Sequence, residues 1–204
     1  MEETPPRLRA TVSSTGGGAK RASRSVKIVV TGPFGAGKTS LIKAVSEIAV
    51  LSTERQVTDH TAAVKGQTTV AMDFGRITID RDLVLYLFGT PGQKRFDFMW
   101  EILAEGMLGF IILVDATRDD SIGEAEEILS FFREVATVPY VVGVNKAAAD
   151  DDAAVARVRS RLGIKPGIRV VAFNALERES AKTILIELLY AVLADVEANE
   201  PATV

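Results

Sequence analysis

No cysteine occurs anywhere in the 204 residues. That excludes a disulfide framework, a thiol nucleophile, a thiolate metal site and every S-linked lipid anchor. A single histidine, His60, leaves an imidazole-based zinc site short of ligands. Basic charge is not in excess either: the formal net charge of −3 argues against a nucleic-acid binder that works through bulk charge. Long hydrophobic runs are also missing. The longest apolar stretches, residues 107–114 and 184–194, are too short to span a bilayer, and Glu187 interrupts the second. Met1-Glu2-Glu3 carries no apolar signal region and no glycine behind the methionine for myristoylation. A soluble cytoplasmic protein is the resulting expectation, with any membrane contact indirect or made by basic residues.

What is present suits one domain with a sizeable core: 47% of the residues are hydrophobic and 25% charged. Residues 1–25 read as a tail, with Pro5-Pro6, the triplet Gly16-Gly17-Gly18 and the bases Arg7, Arg9, Lys20, Arg21 and Arg24. Such a stretch has too little apolar area to offset its ordering entropy. It is either a solvated extension or a basic arm for anionic lipid or an acidic partner. Residues 26–200 form the domain, and 201–204 a short C-terminal end.

Within the domain, strand and helix patterns alternate. Strands are predicted over 26–31, 69–79, 83–88, 107–115, 140–145 and 169–173, and helices over 39–51, 98–105, 121–134, 150–162 and 177–198. Near-continuous apolar strands separated by amphipathic helices predict an α/β sandwich, a mostly parallel six-stranded sheet covered on both faces. The polar turn Asp80-Arg81-Asp82 makes the second and third strands an antiparallel hairpin.

Gly32-Pro33-Phe34-Gly35-Ala36-Gly37-Lys38-Thr39 fits the phosphate-loop pattern G-x-x-x-x-G-K-[ST] and lies between a predicted strand and a predicted helix, the context the motif requires. Its backbone N–H groups, through Ser40 at the helix start, can wrap a phosphate chain at a helix N-terminus. Lys38 would bridge the β- and γ-phosphates, and the Thr39 hydroxyl would bind Mg²⁺.

The order of motifs over 26–198 resembles the Ras-type small GTPases. More closely, Gln67-Thr68-Thr69-Val70-Ala71-Met72-Asp73-Phe74-Gly75 and Leu87-Phe88-Gly89-Thr90-Pro91-Gly92-Gln93 resemble the actinomycete conservon GTPases and the related gliding-motility GTPases. The resemblance implies a switch that binds GTP or GDP with Mg²⁺. It assigns Thr69, with Thr68 as the alternative, to Mg²⁺ and the γ-phosphate. Gly92 would offer its N–H to the γ-phosphate, and Gln93 would orient the attacking water. The aspartate that opens this motif in Ras is replaced by Gly89, and Asp73 on the neighbouring strand is the nearest substitute carboxylate, unless it faces solvent.

The guanine motif Asn-Lys-x-Asp corresponds to Asn145-Lys146-Ala147-Ala148, with Asp150 two residues late. Asn145 closes a strand and Lys146 would cover the base. Losing the charged acceptor at 148 is expected to sacrifice roughly 10²-fold in discrimination. Asn174-Ala175-Leu176 corresponds to the last motif, with the Ala175 N–H expected to reach the guanine O6. Phe34 stands where Ras-type proteins carry glycine and would obstruct an arginine supplied by an activating protein. Arg55 and Arg95 are candidates for an arginine in cis. His60 reads as an exposed loop residue, and Asp150-Asp151-Asp152 as a helix N-terminal cap. Phe96 and Trp100 either pack the short helix or anchor a partner.

The functional expectation is a slow GTPase switch. The rival is a nucleotide-binding scaffold with little hydrolysis and relaxed base choice. By resemblance, the partners would be a roadblock-type regulatory protein and a sensor-kinase-like protein.

Overall fold

The computed structural model describes residues 24–52, 72–148 and 151–199. Seven strands form one sheet: β1 (Arg24–Thr31), β2 (Leu51–Ser52), β3 (Asp73–Asp80), β4 (Leu83–Gly89), β5 (Gly109–Asp115), β6 (Tyr140–Asn145) and β7 (Val170–Phe173). Five helices accompany them: α1 (Lys38–Val45), α2 (Phe98–Ala104), α3 (Asp119–Val135), α4 (Asp152–Arg161) and α5 (Arg178–Asn199). The six strands and five helices expected from periodicity are all present, and the two-residue β2 adds an edge.

The strand order is β2-β3-β4-β1-β5-β6-β7. β1 runs parallel to both β4 and β5, and β6 and β7 continue the parallel run, whereas β3 is antiparallel to β4 and β2 to β3. Alternation along each strand feeds two cores. Ile28, Val30, Ile111 and Leu113 pack with Leu41 and Ile42 of α1 and Ile184 and Leu188 of α5. Val29, Phe110, Ile112 and Val114 pack on the other face with Trp100 of α2, Leu129 and Phe132 of α3 and Val158 of α4. Both faces being covered is why these strands carry continuous rather than alternating apolar sequence.

The first helix is shorter than its apolar periodicity suggests. It stops at Val45, and Ser46 turns extended (φ −67°, ψ 138°). Polar groups of β3 and the following turn capture the chain there. The Ser46 hydroxyl donates to the Ile48 carbonyl at 2.9 Å and accepts the Arg76 N–H at 3.2 Å, and the Glu47 N–H donates to the Arg76 carbonyl at 2.8 Å. A serine that can satisfy backbone groups outside a helix competes with the helix. The segment beyond then pairs Leu51 with Phe74 and Ser52 with Asp73.

Because β1 has β4 on one side and β5 on the other, sheet order reverses at β1. Ligands in open parallel sheets bind at that reversal, beyond the carboxyl ends of the strands. The segments after β1, β4, β5, β6 and β7 all emerge at that edge. Antiparallel β3 brings its first residue, Asp73, to the same edge.

Candidate nucleotide site

The residues after β1 form the loop expected of a phosphate cradle. Gly37, with φ 106°, precedes α1, and a Cβ there would lie 2.2 Å from Asn145 Nδ2. Only glycine permits that approach. Lys38 is buried, and its ammonium donates to the Gly32 and Pro33 carbonyls at 2.7 Å each. A cavity of about 260 Å³ opens beside it, lined by Gly35, Gly37, Lys38, Thr39 and Ser40 of this segment and by Asp73, Thr90, Gly92 and Gln93. Phe34 is 58% exposed at its rim, while Ala36 is buried beneath it.

Asp73 does not face solvent. It is buried, pairs in register with Gly89, and accepts a hydrogen bond of 2.5 Å from the Thr39 hydroxyl. A Cβ on Gly89 would sit 2.9 Å from Ile42 Cδ1, 3.0 Å from Asp73 Cβ and 3.3 Å from Asp73 Oδ2. The carboxylate from β3 therefore occupies the ground that a side chain from position 89 would need. The donor set, a hydroxyl and one carboxylate beside a phosphate cradle, is hard oxygen chemistry. It fits Mg²⁺, which takes one or two protein oxygens and completes its shell with phosphates and water. Among the described residues, no group of three or more acidic, histidine or cysteine side chains offers a self-sufficient metal cage.

The 89–93 segment lies against the phosphate loop. A Cβ on Gly92 would be 2.6 Å from both Lys38 Nζ and the Phe34 backbone nitrogen. Thr90 ties the segment to β1, its N–H donating to the Val30 carbonyl at 2.9 Å and its hydroxyl lying 2.9 Å from that of Thr31. Trp100 ties it to α2, the indole N–H donating to the Pro91 carbonyl at 3.1 Å. Phe96 and Trp100 are both buried, so of their two expected roles the structure shows packing. Gln93 follows Gly92 at the mouth of the cavity, just before a single 3₁₀ turn (Lys94–Phe96).

Asn145 knits the edge together. Its amide Nδ2 donates to the Ala36 carbonyl at 2.9 Å, and its Oδ1 accepts the Ala175 N–H at 3.0 Å. The Ala175 N–H, expected to reach a base, donates to Asn145 here. The next one, on Leu176, donates to the Asn174 side chain at 3.0 Å, and the Leu176 side chain is exposed.

Lys146 adopts φ 64°, unusual outside glycine, and its ammonium reaches Asp115 at 2.5 Å. Asp115 is buried at the end of β5 and also accepts from the Thr117 hydroxyl at 2.6 Å. Burial by itself would raise its carboxyl. The hydrogen bonds from Lys146 and Thr117 outweigh burial and hold it below its ordinary value.

Ala148, where an acid is expected, is exposed. Asp151 caps α4 by accepting the Ala154 N–H at 2.8 Å, as the acidic run suggests. Arg55, His60, Thr68, Thr69 and Asp150 lie outside the described residues, as does the side chain of Arg95.

Sequence reasoning missed Asp115 and Arg118. The usable signal was positional: Asp115 ends β5 and Arg118 follows it at the carboxyl edge of the sheet, as the phosphate loop follows β1. No helix among the described residues is long and apolar enough to cross a membrane.

The sequence model of one protein family, described as "conserved hypothetical ATP binding protein", matches residues 49–165, a span that begins after the phosphate loop. An uncharacterized protein of Methanocaldococcus jannaschii is 36% identical over 128 residues, covering 62% of this chain and 73% of the archaeal one.

Proposed function

The chain belongs to the family of conserved hypothetical ATP-binding proteins, and within that nucleotide-binding frame we propose that it is a Ras-like switch that binds GTP with Mg²⁺ and hydrolyses it slowly. The observation that carries this reading is the approach of Gly92 to Lys38, so close that a Cβ would lie 2.6 Å from the ammonium. Lys38 is the group expected to hold the β- and γ-phosphates. In this reading a third phosphate held by Lys38 would abut Gly92, and its loss would be felt by the 89–93 segment. Trp100 links that segment to α2, whose Phe98 and Ile102 are exposed. Ordering of such a segment by a terminal phosphate is how nucleotide switches address partners.

In this reading Gly32 to Ser40 cradle the phosphates, Gln93 orients water, and Asn145 and Lys146 shape the base site. Thr39 and Asp73 are the residues that would hold Mg²⁺, whose charge would neutralise the phosphate oxygens. Thr69 is a further proposed ligand, from the resemblance to the conservon and gliding-motility GTPases, as are a roadblock-type protein and a sensor-kinase-like protein as partners. A second reading, a scaffold with relaxed base choice, is favoured by the exposed Ala148 and by the family's ATP-binding description.

Denaturing the purified protein and chromatographing the released nucleotide identifies the base. Single-turnover assays with GTP and ATP then separate the readings. The switch predicts bound guanine nucleotide and hydrolysis at or below about 10⁻⁴ s⁻¹, the scale of unassisted Ras-type proteins, with Gln93→Leu slower still. Bound adenine nucleotide, or no turnover with or without a partner, selects the scaffold.

A further inference from the structure

Arg118 is a cation at the phosphate loop that the reading above leaves without a role. It follows β5 and stands at the N-terminal boundary of α3. Its guanidinium forms a two-pronged pair with Asp120, Nε to Oδ1 at 3.1 Å and Nη2 to Oδ2 at 2.5 Å. The remaining nitrogen, Nη1, points at the Phe34 carbonyl at 3.5 Å, and a Cβ built on Gly35 would lie 3.8 Å from it. A planar, permanently charged group thus already rests on the two residues that form the rim of the cradle.

We propose that Arg118 is an arginine supplied in cis for phosphoryl transfer, held beside the phosphate loop by Asp120 and handed from that carboxylate to the oxygens of a bound triphosphate. The proposal rests on the reading of this site as one that hydrolyses GTP. A triphosphate carries more negative charge than Mg²⁺ and Lys38 neutralise, and Asp73 adds to the excess. Phe34 stands in the way of an arginine arriving from a partner, whereas Arg118 needs no such route. Asp120 is 62% exposed, so water and salt screen its two-pronged hold on the guanidinium. Phosphate oxygens in a partly enclosed cavity offer the same two-pronged geometry with more charge.

In the step served, the water oxygen bonds to the γ-phosphorus while the bond from that phosphorus to the β–γ bridging oxygen breaks. The electron pair leaves on the β-phosphate of GDP, and both protons of the water depart on inorganic phosphate as H₂PO₄⁻, which passes one of them to solvent near neutral pH. Arg118 would stabilise the charge that gathers on the bridging and γ-oxygens.

Three variants of the full chain test this: Arg118→Ala, Arg118→Lys and Asp120→Asn. Single-turnover GTP hydrolysis is measured beside GDP affinity, with the fluorescence of Trp100, the sole tryptophan, reporting binding. Arg118→Ala should slow hydrolysis at least about tenfold, and Arg118→Lys should recover only part of the loss. Asp120→Asn should quicken it, by up to about fivefold, because the latch is released. GDP affinity should stay level throughout, while binding of GDP with aluminium fluoride, a mimic of the transferring phosphoryl group, should weaken in Arg118→Ala. A purely structural clamp would shift both positions in the same direction, and that result overturns the proposal. So does a folded, nucleotide-binding Arg118→Ala that hydrolyses at the wild-type rate, which leaves the GTPase reading standing. A wild type that binds GTP and never turns it over removes the GTPase reading and this inference together.

Discussion

At position 89 any side chain would press on Ile42 and on the Asp73 carboxylate, because β3 brings Asp73 directly opposite in register. Gly89→Asp, which restores the aspartate of Ras-type proteins, should therefore destabilise the protein by about 1–3 kcal/mol in urea denaturation, through overpacking and like charge. Combining it with Asp73→Gly should recover most of that loss, and a single substitution as stable as wild type would show that Asp73 does not hold this ground. Asp73→Ala alone should leave the fold intact and weaken Mg²⁺ in the nucleotide complex by about 10–100-fold, read by metal titration of nucleotide retention. The Asp115–Lys146 pair makes a second test. The Asp115 carboxyl lies below its ordinary value of 3.8 in the folded chain, so it adds stability above that value and loses it as pH falls through the folded pKa. Lys146→Met removes the ammonium's hydrogen bond and charge, so the carboxyl rises relative to wild type. Acid unfolding, followed by circular dichroism, should then begin at higher pH than in wild type; an unmoved midpoint would mean that Lys146 contributes nothing to Asp115.

Three elements meet at Asn145, which closes β6, holds the Ala36 carbonyl of the phosphate loop and accepts the Ala175 N–H that precedes α5. Asn145→Ala orphans two backbone groups that are buried in the native fold and should cost about 2–4 kcal/mol of stability, with faster amide exchange at Ala175. Stability and exchange like wild type would mean that water replaces the side chain without penalty. The strands and helices themselves were legible because each buried element has a local pattern: β1 carries the apolar run Ile28–Val30 and β5 the run Phe110–Val114, and α3 repeats Ile128, Leu129 and Phe132 on one face. The end of α1 was not, because Ile48 and Leu51 prolong the apolar period while the cause of termination, Arg76 on β3, lies thirty positions away from Ser46. The phosphate loop was legible for the same reason as the strands, its chemistry being contiguous. Burial of Asp73, capture of the Ala175 N–H and the seat of Arg118 beside Phe34 are contacts through space, set by sheet order, and a linear pattern carries no trace of them until that order is known.

Across the whole molecule, nucleotide binding and folding share one free-energy balance, since a ligand held only by the folded chain stabilises it by mass action. At about one hundred times its dissociation constant a ligand adds about 2.7 kcal/mol, which in a domain of this size raises Tm by about 5–10 °C. Mg²⁺·GTP should produce a shift of that order in the wild type. Lys38→Ala should abolish it while the ligand-free protein still unfolds cooperatively, since the two carbonyls that Lys38 holds, of Gly32 and Pro33, lie beside a cavity that water can enter. The base should matter less than in a protein with an intact guanine motif. Asn145 and Ala175 are engaged with each other, Lys146 is turned to Asp115, and Ala148 presents no acceptor for the two donors on the guanine edge. Mg²⁺·GTP should accordingly shift Tm only modestly further than Mg²⁺·ATP at matched concentration, and Ala148→Asp should widen the gap in favour of GTP. Discrimination above about 10⁴-fold in the wild type would place an acceptor elsewhere, because such a ratio requires a buried polar group that only the right base can satisfy.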